Sequence, residues 1–130
     1  MWLASHSGPF QLNTLRVSGI SDKPLRVLHI SDLHFAPGQS KKADFLRSLA
    51  DLNPDLVVNT GDNLGHKNAI NPALQALEPL AKFPGVFVNG SNDYRSPKLK
   101  NPLRYFYGPS KVREERDIDT ERFTSELENF

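Results

Sequence analysis

The chain has 130 residues, 38% of them hydrophobic, enough for one ordinary domain with a buried core and too few for two. Sixteen basic against fifteen acidic side chains give a net charge of +1, so no broad field steers nucleic acid or an anionic membrane towards it. The lack of cysteine excludes a disulfide framework and thiolate metal sites; any metal must use Asp, His, Asn or carbonyl oxygens, a donor set suited to Mn, Fe, Mg or Zn.

Residues 1–11 carry neither a basic segment before a long apolar stretch nor a run able to span a bilayer, so they are expected to be a disordered leader on a soluble chain. Residues 12–20 alternate loosely and end at Ser21-Asp22-Lys23-Pro24, which predicts an edge strand closed by a turn. Residues 25–30 form a near-continuous apolar run of the kind buried on both faces of a parallel sheet, and Pro37-Gly38 marks a break after it. Residues 42–52 set Phe45, Leu46, Leu49 and Leu52 at helical spacing, and Asn53-Pro54 ends that helix because the residue before proline avoids the helical region. Residues 56–59 give the next strand. Residues 71–82 predict a second helix with Pro72 in its first turn and Leu74, Leu77, Leu80 and Ala81 on one side, bent or shortened by Pro79. Residues 86–88 give a third strand, and the alternation of strand and helix predicts an α/β fold with parallel crossovers. Beyond Tyr94 the pattern gives way to a turn-rich insert over 95–110 and a charged loop over 113–117. Residues 119–130 then read as a helix with Phe123, Leu127 and Phe130 as its apolar stripe. There is no internal repeat.

The chemistry lies just past the strands. Asp32-Leu33-His34 follows the first, Gly61-Asp62-Asn63 the second and Gly90-Ser91-Asn92-Asp93 the third, so one sheet edge would receive carboxylate, imidazole and amide groups where open α/β sheets place their sites. On an extended backbone Asp32 and His34 would share one side, with Leu33 turned into packing. Unpaired carboxylates and an imidazole at such an edge incur a desolvation penalty that a divalent ion offsets. Gly61 allows close backbone approach, and the two oxygens of Asp62 could bridge two ions. Any one of these short motifs alone reads as an ordinary solvated turn; the three in order point to a metal site.

Over residues 25–94 this series resembles the calcineurin-like metallophosphoesterase family, whose motifs run Asp-x-His, Gly-Asp, then Gly-Asn-His-Asp or Glu, then later histidines. The resemblance implies the strand-helix-strand-helix-strand half of a four-layer α/β sandwich in which two sheets face each other. It implies two divalent ions, with Asp32 and His34 on the first and Asp62 bridging, and hydrolysis of phosphomonoesters or phosphodiesters by in-line attack of metal-bound hydroxide, the ions about 3.5–4 Å apart. The third motif departs from the family: a gapless match sets Ser91 at the asparagine ligand and Asn92 at the catalytic histidine, whereas a one-residue shift makes Asn92 the ligand. Asn92 is favoured because an amide oxygen suits a hard cation better than a neutral hydroxyl. Neither register leaves a histidine to protonate the leaving group, so slow turnover of poorly activated esters is expected.

By the same resemblance Asn92 and Asp93 are the catalytic candidates, Asp32, His34, Asp62 and Asn92 the metal ligands, and Asn63, Tyr94 and Arg95 the substrate-binding candidates. The insert from Tyr94 adds Lys98, Lys100, Arg104, Tyr105 and Tyr107, which suit a phosphorylated small-molecule or lipid-like substrate or a plain solvated connection. No histidine follows His66, so the family's later motifs are missing and the chain reads as an amino-terminal half, its exposed half-core favouring self-association or a partner half. Its location is expected to be cytoplasmic, with membrane attachment of a longer protein left open. His29, inside a strand, is expected to be structural, His66 to be a solvated loop residue, and His6 to lie in the leader. The rival reading is a non-catalytic metal- or phosphate-binding module. A Rossmann-type nucleotide domain is set aside, since neither of the phosphate-loop glycine patterns occurs.

Overall fold

The computed structural model of the chain describes residues 10–96 and 116–130. His6, most of the leader, Lys98, Lys100, Arg104, Tyr105, Tyr107 and the start of the charged loop lie outside them. Three strands, β1 (Val27–Ile30), β2 (Leu56–Asn59) and β3 (Gly85–Phe87), pair in parallel in the order β1-β2-β3. Helix α1 (Ser40–Ser48) connects the first pair and α2 (Ile70–Leu77) the second, with α3 (Thr120–Glu128) last. This is the α/β arrangement that the alternating pattern implies.

Each element ends where local chemistry requires. The helix expected over 42–52 is α1 followed by a tight 3-10 turn, Leu49–Leu52, which Asn53 closes in the left-handed conformation at φ 47° before Pro54. The helix expected over 71–82 becomes α2 and a second 3-10 turn, Glu78–Leu80, because Pro79 cannot donate an internal hydrogen bond. The strand expected over 12–20 does not form. Its Leu12, Leu15, Val17 and Ile20 are all exposed, the alternation being broken by Asn13-Thr14 and by Gly19 at φ 82°, and no ladder partner completes it.

Among the described residues, all three helices contribute to one core on one face of the sheet. Leu28, Ile30 and Val57 meet Ala43 and Leu46 of α1, Ala73, Leu74 and Leu77 of α2, and Phe123 of α3. The expectation of strands buried on both faces is thereby corrected: β1 alternates exposed and buried, and Val27, His29, Val86 and Val88 present the other face to solvent. His29, exposed on that face, shares a 2.9 Å hydrogen bond between its Nε2 and Thr60 Oγ1. Among the described residues no helix is long and apolar enough to cross a membrane.

Candidate metal centre

The loops after β1 and β2 run side by side beyond the sheet. Asp32 N donates to the Gly61 carbonyl at 2.9 Å, His34 N to that of Asp62 at 3.0 Å, Phe35 N to that of Asn63 at 2.7 Å, and Gly65 N back to that of Phe35 at 2.8 Å. A short parallel bridge, Phe35 to Leu64, closes this zipper, with both side chains buried. Motifs remote from each other along the chain are therefore held together by backbone bonds rather than by side chains alone.

Within the zipper the backbone is bent. Asp32, His34 and Asp62 have φ of 54°, 42° and 55°, and Asn53, the helix cap, is the other described non-glycine residue in that region. The extended geometry expected for Asp32-Leu33-His34 is thus corrected: convergence comes from two left-handed kinks, with Leu33 packed against the core between them. Such conformations cost roughly 1–3 kcal/mol each and persist where surrounding structure over-determines them. The kinks bring one ligand-capable atom from each of Asp32, His34 and Asp62 within 4.8 Å of one another. His34 Nε2 lies 3.7 Å from Asp32 Oδ1, and Ser31 Oγ donates to Asp32 Oδ2.

The third motif arrives as a 3-10 turn, Ser91–Asp93. Asn92 N donates to Asp62 Oδ1 at 2.9 Å and Asn92 Nδ2 to Asp62 Oδ2 at 3.0 Å, and the same Nδ2 lies 3.3 Å from His34 Nδ1. Asn92, and not the exposed Ser91, therefore borders the cluster; a half-turn of its amide would aim Oδ1 at the same atoms. The approach depends on two glycines: a Cβ on Gly90 would lie under 3.0 Å from Asp62 Oδ1, and one on Gly61 under 3.0 Å from Gly90 N.

Asn63 and Asp93 lie beneath this surface, each with no exposed area. Asp93 accepts from Leu64 N at 2.8 Å, from Gly90 N at 2.9 Å and from Asn63 Nδ2 at 3.4 Å, while Asn63 Oδ1 accepts from Asn59 Nδ2 at 2.7 Å. Asn59 Oδ1 in turn accepts from Gly61 N at 3.0 Å, and Thr120 Oγ1 of α3 donates to the Asp93 carbonyl at 2.7 Å. Asn63 and Asp93 are expected at the site from sequence, but Asn59 and Thr120, which complete this buried network, are not; the signal for Asn59 is a polar residue at an inward position of an apolar strand, two after Val57. Tyr94 and Arg95 follow the turn and are half-buried. The Arg116 guanidinium lies 4.7 Å over the Tyr94 ring, and among the described residues the buried Arg95 Nε has no hydrogen-bond partner. His66 is not one of the converging group, and its Nδ1 accepts from Asn68 N at 3.0 Å.

The donor set is two carboxylates, an imidazole and an adjacent amide, with no thiolate, which fits a hard or borderline divalent cation. A family model described as calcineurin-like phosphoesterase matches residues 25–127. No curated protein and no solved structure matches the chain.

Proposed function

Because the chain belongs to the calcineurin-like phosphoesterase family, we propose that it is a phosphoester hydrolase whose divalent cations are held by Asp32, His34, Asp62 and Asn92. The observation that carries this reading is the coincidence of strain and convergence. The three residues kinked into the left-handed region beyond the strands are the same three whose ligand-capable atoms meet within 4.8 Å. A divalent ion at this position would supply Lewis-acid polarisation of a phosphoryl oxygen and would acidify a coordinated water.

The chain's own groups have distinct tasks. Asp62 is the hinge of the site: Asn92 donates to both of its oxygens, and a carboxylate oxygen that accepts one such bond still has capacity for a cation. Asn92 can orient a phosphoryl oxygen through its amide but has no proton to give a leaving group, so esters with good leaving groups are the preferred substrates. Asp93 and Asn63, fully buried, are positioning residues that lock the second and third motifs together rather than groups that touch substrate. Tyr94 and Arg95, which follow the third-motif turn, are the substrate-binding pair, a guanidinium and an aromatic ring suited to a phosphate ester.

The test is hydrolysis of para-nitrophenyl phosphate and its bis ester with Mn(II) added, beside Asp62→Asn and a metal count. Mn-dependent turnover that the substitution abolishes is the expected result. A folded chain that binds metal without turning over either ester would instead be a non-catalytic binding module.

A further inference from the structure

We propose that Lys42, on α1, is a positioning residue that holds the Asp32–Leu33–His34 loop in its kinked form by capping the Leu33 carbonyl. Its consequence rests on the metal-site reading, though its geometry does not. Leu33 lies between the two left-handed residues. The amides on either side of it are committed to the β2 loop, Asp32 N to Gly61 and His34 N to Asp62. Lys42 Nζ donates to the Leu33 carbonyl at 2.7 Å, and its ammonium lies 5.8 Å over the ring of Phe35, the residue that begins the parallel bridge. One cation therefore touches the loop at its apex and at its exit.

The sequence context makes this placement costly unless it has a task. Lys42 is four residues before Leu46 and seven before Leu49, a spacing that sets it on the core-facing stripe of α1, and it is only 6% exposed. Burial of the ammonium pushes its pKa down from the ordinary lysine value. A leucine or methionine would fill the same position without that desolvation penalty, whereas only a long-chain donor reaches the Leu33 oxygen. A charge-assisted bond to a backbone carbonyl is among the stronger hydrogen bonds, and groups that orient ligand-bearing residues commonly change metal affinity by about 10–100-fold when removed.

The experiment compares the full chain with Lys42→Met, which keeps length and removes the donor, and Lys42→Arg, which keeps a cationic donor. Amide hydrogen exchange is read without metal, and Mn(II) affinity is read by titration. In Lys42→Met the Asp32 and His34 amides should exchange about tenfold faster and Mn(II) should bind about tenfold more weakly, while Leu28 and Val57 in the strands keep their protection. Lys42→Arg should restore most of both. Unchanged exchange at Asp32 and His34 in Lys42→Met overturns the proposal, as does a loss of protection spread equally over the strands, which marks Lys42 as an ordinary core residue. If the exchange changes appear but the unmodified chain binds no Mn(II), the loop-positioning role stands and the metal reading falls.

Discussion

Gly90 and Asp93 carry the sharpest consequences for single residues. A methyl group at Gly90 would collide with the Asp62 carboxylate and amide, neither of which can retreat, because Asn92 fixes the carboxylate and the zipper fixes the backbone. Gly90→Ala should lower stability by about 2 kcal/mol and displace Asp62, visible together as a reduced urea midpoint and weaker Mn(II) binding. Asp93→Asn should cost about 3 kcal/mol, since an amide presents a donor to N–H groups that now meet a carboxylate. An Asp93→Asn chain as stable as the parent would remove Asp93 from the buried network. Lys42 gives a pH signature. With its folded pKa lowered by burial, the unfolded chain holds a proton that the folded chain has released, between the folded value and about 10.5. Unfolding then takes up a proton, so stability should rise with pH across that alkaline window, and the penalty is fully present below it. Urea midpoints for Lys42→Met should lack this rise; parallel pH profiles in the two chains would contradict it.

Among elements, α3 matters to the site although it lies farthest from it in sequence. Phe123, with no exposed area, anchors it to the core, Thr120 Oγ1 donates to the Asp93 carbonyl, and Asn89 Nδ2 donates to Thr124 Oγ1 at 2.8 Å. Helix and third motif are thus stapled at two points. Phe123→Ala should cost about 3–5 kcal/mol and loosen the Ser91–Asp93 turn, read as faster exchange at Asp93 N and Leu64 N. Elements were also the most legible level of the sequence. Apolar runs and proline positions located β1, β2, α1, α2 and α3 to within a few residues, because these signals are local. Residues 12–20 misled because an alternating pattern specifies a strand only if a neighbour supplies the ladder. That the three candidate motifs each follow a strand was legible for the same local reason. Their left-handed kinks and the network under them were not, since both arise from backbone pairing between loops that are remote along the chain. Lys42 was hidden by its charge, although its spacing from Leu46 and Leu49 placed it on the buried stripe.

Among the described residues the sheet is one-sided. Helices cover one of its faces, while the other exposes Val27, Val86 and Val88, the middle one at 59%. Parallel sheets are ordinarily covered on both faces, and contiguous exposed apolar surface drives association. The chain should therefore sediment as larger species as its concentration rises. Val86→Lys with Val88→Lys should suppress this without affecting the strand ladder, whose hydrogen bonds are all backbone. Association that ignores these substitutions would move the contact to another surface. The candidate site sits at the carboxyl ends of the strands, where three strand-ending loops are brought together by one sheet. The decisive experiment is a titration of the chain and of Asp62→Asn with Mn(II), following free metal by its electron paramagnetic resonance. Saturable binding in the chain, weakened about 100-fold or more in a folded Asp62→Asn, is the predicted result. Equal affinity in both would contradict a centre built on Asp32, His34 and Asp62.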